Sequence, residues 1–249
     1  MKKFIYLLIG ILIISSSIVF AKNNLAVPTI KPKIGYIPDL SIQAQKEWAE
    51  GEKIYNRIVG GEKETNLTVD ERRKLKKFDD SKKDIWDIRG EGDDWYNSGG
   101  PYKVSATTEL KSSGQVKYVA QNAHDSSYKT VWVEGKPDYG IGESLLYYFK
   151  ANSPRVNKII IFNGYLKSKD LWRDNSRVKK FKVYTNNNLI AVLELKDTMA
   201  QQEFEITPVS SKVKNKDLIL RFEIVEVYPG SKFKDTAITE LYFSGLDVL

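Results

Sequence analysis

The sequence predicts an all-β protein, an antiparallel β-sandwich preceded by a short α-helical segment. From about residue 102 onward, short apolar segments alternate with turns rich in Gly, Asn, Asp and Pro. None of the connections between these segments shows helical spacing, which favours antiparallel pairing over a parallel α/β sheet. Upstream, two segments do have helical spacing. We therefore divide the chain into a signal peptide (1–21), a linker with a short helical segment (22–90) and the sandwich domain (91–249).

The first 21 residues are typical of a secretory signal peptide, because two lysines precede an apolar run that ends in small residues before Ala21. We expect cleavage after Ala21 and export to the periplasm or the medium. An uncleaved N-terminal anchor is the alternative, since the run is about as long as a minimal membrane span. No later segment is apolar enough to cross a membrane. The chain has no Cys, which predicts neither disulfides, thiolate metal sites nor a lipid-modified cysteine.

The charge balance argues against a nucleic-acid partner. The 39 Lys and Arg less the 32 Asp and Glu leave a net charge of +7, or +5 once Lys2 and Lys3 leave with the signal. Charges of both signs are interspersed, as on a solvated surface.

The segment after the signal combines a linker with two helices. NNLAVPTIKPKIGYIPDL spaces three prolines among few core-forming residues and predicts an extended linker. A first helix is expected from about Ser41 to Ile58, with Ile42, Trp48 and Tyr55 near one face together with Ile58. A second begins at Thr68, where Thr68 and Glu71 have the spacing of a capping box.

The sandwich region contains a series of short strands. VNKIIIF (156–162) is typical of a strand buried on both faces, and RVKKFKVYT (177–185) alternates apolar residues with lysines. Three asparagines at 186–188 then predict a hairpin with LIAVLEL (189–195). Further strands are expected at 203–206, 217–227 and 238–243, and LLYYF (145–149) also has strand composition.

The only histidine lies in NAHDSSYKTVWVEGKPDYGIGES (122–144), and His124-Asp125-Ser126 contains the residue types of a catalytic triad. A triad requires these groups to converge from separate segments, whereas adjacent residues point apart. A carboxylate pair such as Glu134 and Glu143 is a separate route to hydrolase chemistry. The competing interpretation places Glu134 and Asp138 in turns, where acidic side chains bond nearby backbone N–H groups.

The same stretch contains a candidate site for a hard cation such as Ca²⁺. Asp125 lies in an Asn- and Ser-rich turn with Thr130 five residues later, and Ca²⁺ binds carboxylate, hydroxyl and carbonyl oxygens. An Asx-turn that bonds only its own backbone explains the same residues, so both interpretations stay open.

Aromatic and polar side chains near predicted loops form a candidate ligand surface. Sugars stack their C–H faces on aromatic rings, while polar side chains bond the hydroxyls. Trp132 and Tyr165 also fit a place in the core, which is the usual one for a Trp after a strand. The residues predicted to bind ligand are Trp172, Arg177, Asn175, Tyr165, Asn163, Lys167 and Tyr139.

Three long motifs resemble one known family. NAHDSSYKTVWVEGKPDYGIGESLLYYF, NGYLKSKDLWRDNSRVKKFKVYTNN and LRFEIVEVYPGSKFKDTAITELYFSGLDV, in this order, resemble the discoidin-like domain that accompanies some secreted bacterial NAD glycohydrolases. The resemblance spans roughly residues 91–249 and implies a galactose-binding-like jelly roll, related to coagulation-factor type C domains. The NAD-cleaving part of those toxins is a separate domain, and 22–100 is too short to replace it, so we expect no such activity.

The resemblance also implies a structural Ca²⁺ site. Asp125, Thr130 and Glu240 match the family's side-chain ligands, and backbone carbonyls around Asn122, Ser127 and Thr239 are the implied partners. Relatives usually have Gly after the aspartate, whereas this chain has Ser126, and a side chain disfavours a positive φ at that turn.

These observations together predict an exported, non-enzymatic protein that recognises a glycan or another cell-surface ligand through the loops of its discoidin-like domain. The first alternative is docking onto a secreted or envelope protein, with residues 41–79 as a helical adaptor. The second alternative is a carboxylate-dependent hydrolase.

Overall fold

The computed structural model describes residues 26–80, 95, 98–211 and 215–247. The predicted signal peptide lies outside these residues and stays a prediction. No helix in the described ranges is both long enough and apolar enough to span a bilayer.

The described chain contains thirteen strands and three α-helices, with short 3-10 turns at Glu64–Asn66 and Ala120–His124. The helices are α1 (Ile42–Val59), α2 (Val69–Asp79) and α3 (Lys169–Asp174). The strands are β1 (Thr29–Ile30), β2 (Lys33–Ile34), β3 (Lys103–Ala106), β4 (Leu110–Ser113), β5 (Val116–Tyr118), β6 (Trp132–Val133), β7 (Ser144–Phe149), β8 (Val156–Asn163), β9 (Ser176–Thr185), β10 (Asn188–Glu194), β11 (Gln202–Val209), β12 (Leu218–Tyr228) and β13 (Thr236–Gly245).

The long strands form two antiparallel layers. One layer has the order β10-β9-β12-β7-β3, and the other has the order β11-β8-β13. The start of β13 pairs in parallel with the start of β9 over two residues and joins the layers at one end. The predicted all-β sandwich is therefore confirmed.

An aromatic cluster fills the space between the layers. Phe243 of β13 makes ring contacts with Tyr147, Phe149 and Phe222 of the five-stranded layer, with centroids 4.9, 5.2 and 6.0 Å away. Edge-on aromatic pairs add to the free energy gained by burying these rings. The strand alternation seen in the sequence directs these side chains inward.

The hairpin predicted at the asparagines is present between β9 and β10. Asn186 and Asn187 both have positive φ, 45° and 74°, and β9 and β10 are antiparallel neighbours. Two consecutive residues in this region make the turn whose twist matches the flanking strands, and Asn tolerates it well. The six-residue helix α3, in contrast, lies where the sequence predicted a loop between two strands; Ser168 caps it by accepting a bond from the Leu171 amide. One and a half turns are too short to show helical periodicity.

Helices α1 and α2 pack side by side as a hairpin. Ser41 caps α1, and Thr68 and Glu71 form the reciprocal capping box at the start of α2. The face predicted for α1 was wrong in part, because Ile42 and Tyr55 are exposed. The buried positions of α1 are Ala44, Gly51 and Ile54. Gly51 allows the close approach of the two helices, since a Cβ there would overlap with the Phe78 side chain.

The segment predicted as an extended linker is extended, and two short strands in it pair with the edges of the sandwich. Strand β1 pairs with β10, the edge of the five-stranded layer, and β2 pairs with β11, the edge of the three-stranded layer. Ile30 packs against the core between them. Residues 29–34 therefore bridge both layers, because open sheet edges present unpaired N–H and C=O groups to any extended segment nearby.

Candidate functional site

Three loops meet at the end of the sandwich where the two layers join. The Phe233 amide donates to the Asp174 carbonyl oxygen at 2.8 Å, and the Ser231 amide donates to the Arg173 carbonyl oxygen at 3.0 Å. The Thr236 hydroxyl donates to the Tyr139 carbonyl oxygen at 2.9 Å. Loop 229–235 is thus bonded to loop 164–175, and loop 134–143 is bonded to Thr236, the residue of β13 that directly follows loop 229–235.

Four of the seven residues predicted to bind ligand are buried at this end: Asn163, Tyr165, Asn175 and Arg177. The Asn163 amide group bonds both the N–H and the C=O of Val178, at 3.0 and 2.7 Å. Asn175 donates to the Leu171 carbonyl oxygen, and Tyr165 lies in an apolar cluster. These side chains hold loop 164–175 to the sheet.

Arg177 makes the largest number of the bonds that hold loop 164–175 to the sheet. Its side chain is 7% exposed, and its guanidinium makes a two-pronged ion pair with Asp197, at 2.8 and 3.1 Å. It also donates to the carbonyl oxygens of Asn175, Trp172 and Arg173 at 2.8, 3.2 and 3.4 Å. All three nitrogens of the guanidinium therefore donate to acceptors inside the protein.

Trp172, Lys167 and Tyr139 retain exposed surface. The Trp172 indole donates to the Asn163 carbonyl oxygen at 2.9 Å, and the Arg177 guanidinium carbon lies 4.5 Å from its ring centroid. One face of this half-buried ring is therefore covered. Lys167 is exposed, and Tyr139 is partly exposed with the Lys234 ammonium 5.8 Å from its ring centroid. Ligand contact by these three residues stays a prediction.

Two exposed apolar side chains at the same end were not among the residues predicted from the sequence to bind ligand. Phe233 is 39% exposed with the Lys232 ammonium 4.9 Å from its ring, and Ile141 is 48% exposed. The sequence signal was an aromatic between two lysines, directly after the Pro-Gly turn in YPGSKFKD. We call Tyr139, Ile141, Lys232, Phe233 and Lys234 the loop surface.

The carboxylates considered for hydrolase chemistry lie at the base of these loops. Glu134 is fully buried and accepts bonds from the amides of Lys136 and Thr236. Burial raises the pKa of Glu134 despite these bonds. Burial also acts to raise the pKa of Glu143, but hydrogen bonds from Lys136, Thr107 and Thr108 outweigh it and lower that pKa. Glu134 fastens loop 134–143 through backbone N–H groups, as the turn interpretation predicted, whereas Glu143 does so through the side chains of Lys136, Thr107 and Thr108.

The residues predicted to bind Ca²⁺ come together on the side of the sandwich. The Thr130 hydroxyl donates to both oxygens of Asp125, at 2.9 and 2.7 Å. The Ser127 amide bonds both Asp125 Oδ1, at 3.1 Å, and Glu240 Oε1, at 2.8 Å. Ser126 adopts the positive φ of 65° that the turn requires. A hard cation would meet two carboxylates and a hydroxyl here, so the donor chemistry fits Ca²⁺.

The other residues predicted around this site have internal roles in the described structure. The Asn122 side chain donates to the carbonyl oxygens of Lys117 and Val131. The Thr239 hydroxyl donates to the Gly164 carbonyl oxygen at 2.6 Å and accepts from the Leu166 amide. The carbonyls of Asn122, Ser127 and Thr239 as metal ligands stay a prediction. The described residues hold no group of three or more His, Cys, Asp or Glu side chains placed to bind a metal.

His124 is part of the packing beside this site. Its Nδ1 lies 2.9 Å from the Leu241 carbonyl oxygen, and its ring packs on Tyr147 and Phe243. Because a carbonyl only accepts, Nδ1 carries the proton.

The two-layer jelly roll with three loops packed together at one end is typical of galactose-binding-like domains. The family model for the NAD glycohydrolase translocation F5/8 type C domain matches residues 95–244, which is 150 of the 249 residues. The chain belongs to this family, as its motifs indicated. None of the curated proteins compared matches the chain.

Similar solved structures are carbohydrate-binding modules of the CBM32 type from Clostridium perfringens. The CBM32-1 and CBM32-2 domains of ZmpB share 14% identity, with a TM-score of 0.45, over 64% of this chain and 39% of theirs. CpGH89CBM32-5, in complex with GalNAc-β-1,3-galactose, shares 18% identity, with a TM-score of 0.41, over 57% of this chain and 94% of its own. CBM32-3 from a family 31 glycoside hydrolase shares 15% identity, with a TM-score of 0.42, over 63% and 98% of the two chains. This chain thus spans well under half of the ZmpB fragment.

Proposed function

We propose that this protein is an exported binding protein without catalytic activity, and that it recognises a glycan on a cell surface through the loop surface. The observation that carries the proposal is the pair of partly exposed rings, Tyr139 and Phe233, on two loops that lie next to each other at the start of β13. An ammonium lies near each ring. Aromatic faces bind the C–H faces of sugars, and the lysines donate to hydroxyls at the rim.

The base of the loop surface supports the same proposal. Loop 229–235 is anchored through Asp174, and loop 134–143 is anchored through Thr236 and the buried carboxylate of Glu134. Side chains held by such buried bonds lose little conformational freedom when a ligand binds, which favours affinity. The carboxylates considered for hydrolase chemistry serve this anchoring.

A glycan array probed with the full chain tests the proposal, followed by titration calorimetry on the best ligand. We expect Phe233→Ala and Tyr139→Ala each to weaken binding about three- to tenfold, from the loss of a stacked ring. Tyr102→Ala is the matched control, because Tyr102 is 50% exposed and lies at the opposite end of the sandwich. Absence of any array signal, or equal effects of Phe233→Ala and Tyr102→Ala, would contradict a glycan site on the loop surface.

The Ca²⁺ site is a second part of this proposal. Asp125, Thr130 and Glu240 are the side chains that would hold the cation, and its binding would join the 125–130 loop to the last strand. EDTA treatment is then expected to lower the melting temperature of the full chain. An Asp125→Asn variant that melts like the parent, with an EDTA effect of the same size in both, would rule out this site.

Docking onto a secreted or envelope protein is the second candidate function, favoured by the exposed face of the helical hairpin. Tyr55, Val59 and Val69 are 47, 68 and 78% exposed. Removal of residues 41–79 should abolish capture of such a partner and leave glycan-array binding intact. Loss of array binding in the same deletion would argue against this division of roles.

A further inference from the structure

A cleft of about 410 Å³ separates the helical hairpin from the 126–129 loop of the sandwich. Trp48 and Glu52 of α1 line one wall, and Phe78 of α2 closes its edge. The opposite wall contains Tyr128, Lys129 and Lys167. This volume falls in the range of roughly 300–1,000 Å³ that small-molecule sites occupy. The cleft is separate from the loop surface, and its helical wall lies outside the residues matched by the family model.

The helical wall of the cleft contains an indole side chain. Trp48 is partly buried, but it belongs to none of the apolar clusters formed by the described residues. Tyr128 in the opposite wall is 2% exposed, and its ring packs edge-on against Phe162 with centroids 5.1 Å apart. The sandwich wall of the cleft is therefore held in place by packing, and the partly buried indole of Trp48 lines the opposite wall.

Two cations without partners flank this aromatic face. Lys129 and Lys167 are exposed, and neither ammonium has an ion pair within the described chain, whereas Lys74 and Lys77 of α2 bond Glu50 and Glu47. Among the residues that the structure describes, Glu52 is the one acidic side chain lining the cleft. These two lysines and Glu52 together carry a net charge of +1, and the Glu52 carboxylate can accept hydrogen bonds from hydroxyl groups.

The bonds around Ser127 fix the loop that presents Lys129. The Ser127 amide bonds Asp125 and Glu240, and the Ser127 hydroxyl accepts from the Lys129 amide at 3.1 Å. A loop held in this way places its cation with little loss of freedom on binding.

We propose that the cleft binds a pyranose that carries a carboxylate, a uronic acid unit. The C–H face of the ring stacks on Trp48, the carboxylate lies between Lys129 and Lys167, and a ring hydroxyl donates to Glu52. A neutral sugar satisfies the indole but leaves both lysines unused. An inorganic anion satisfies the lysines but leaves the indole uncovered.

Methyl β-D-glucuronide and methyl β-D-glucoside, titrated into the full chain, test this site by intrinsic fluorescence and by saturation-transfer NMR. We expect the glucuronide to change the Trp48 emission and to bind roughly fivefold or more tightly than the glucoside. Lys167→Gln and Lys129→Gln should each weaken glucuronide binding about two- to fivefold, as for a solvent-accessible ion pair. Higher salt should weaken it as well.

Lys150→Gln is the matched control, since Lys150 is an exposed lysine in the turn between β7 and β8 at the opposite end. Trp48→Phe should remove the fluorescence change. If Trp48→Phe destabilises the hairpin, Lys167→Gln still tests the proposal, because Lys167 is exposed and lies outside the hairpin. Equal affinity for the two glycosides would overturn the proposal. So would a loss in Lys150→Gln as large as in Lys167→Gln. Phe233→Ala should not alter glucuronide binding, which separates this cleft from the loop surface.

Discussion

Replacing Arg177 by methionine decides whether this residue supports the fold or binds ligand. The sequence predicted a ligand contact, but the structure surrounds the guanidinium with protein acceptors. Methionine retains most of the aliphatic volume and removes the charge together with its five hydrogen bonds. Asp197 and three backbone carbonyls then lose their donor, and Trp172 loses the cation over its ring.

The expected loss of stability follows from these contacts. Breaking a buried ion pair from one side costs about 3–5 kcal/mol. Asp197 is 39% exposed, so water can solvate the orphaned carboxylate and reduce that cost. We expect Arg177→Met to lower the free energy of unfolding by about 2–4 kcal/mol. In a protein of this size, that corresponds to a fall in melting temperature of about 5–15 °C.

Thermal and urea denaturation of the full chain provide the measurement. Arg173→Met is the matched control, because the Arg173 side chain is 60% exposed and pairs only with surface aspartates. Arg173→Met should lower the free energy of unfolding by about 0.5 kcal/mol or less. A variant Arg177→Met that melts within about 2 °C of the parent, yet no longer binds the array ligand, would refute the structural role and restore the prediction made from the sequence.

Three further substitutions test other parts of the structure. Gly51→Ala should cost about 1–3 kcal/mol by forcing α1 away from Phe78, seen as faster hydrogen exchange in α1 and α2 but not in the sandwich. Ser126→Gly should stabilise by about 0.5–1 kcal/mol in thermal denaturation, because relief of the left-handed backbone outweighs the added freedom of the unfolded chain. The pKa of Glu143 lies below its ordinary value of 4.5, so the ionised group stabilises the fold above that pH and loses its effect as the pH falls through the folded value. Glu143→Gln should therefore be more destabilising at about pH 7 than at about pH 3, measured by urea denaturation; an equal loss at both would contradict the ionic role.

The strand pattern was predictable because it depends on neighbours in the sequence. The alternation in 177–185 and the asparagines at 186–187 specify a hairpin through local sterics alone. The helix caps at Ser41 and Thr68 are also local, since each bonds a backbone amide three residues on.

The burial of polar residues was not predictable in the same way. Asn163 and Arg177 have loop-like surroundings in the sequence, and only the folded sheets place Val178 beside Asn163 and Asp197 beside Arg177. Likewise, α1 buries Gly51 rather than Tyr55, because close approach to Phe78 requires a small residue there. The sheet edges that bind residues 29–34 exist only after the whole sandwich has formed.

Buried polar groups explain how both proposed binding surfaces are held in place. Glu134 fixes the loop that carries Tyr139, and the Ser127 amide fixes the loop that carries Lys129. Arg177 fixes loop 164–175, to which the loop that carries Phe233 is bonded. An unpaired polar group in the interior is costly, so each loop is restricted to the few conformations in which its buried polar group is paired. The exposed residues on those loops can therefore be substituted without disturbing the loop conformation, whereas the buried residues cannot. We therefore expect substitutions on the loop surface and at the cleft to change binding with little effect on melting, and substitutions of their buried anchors to change both together.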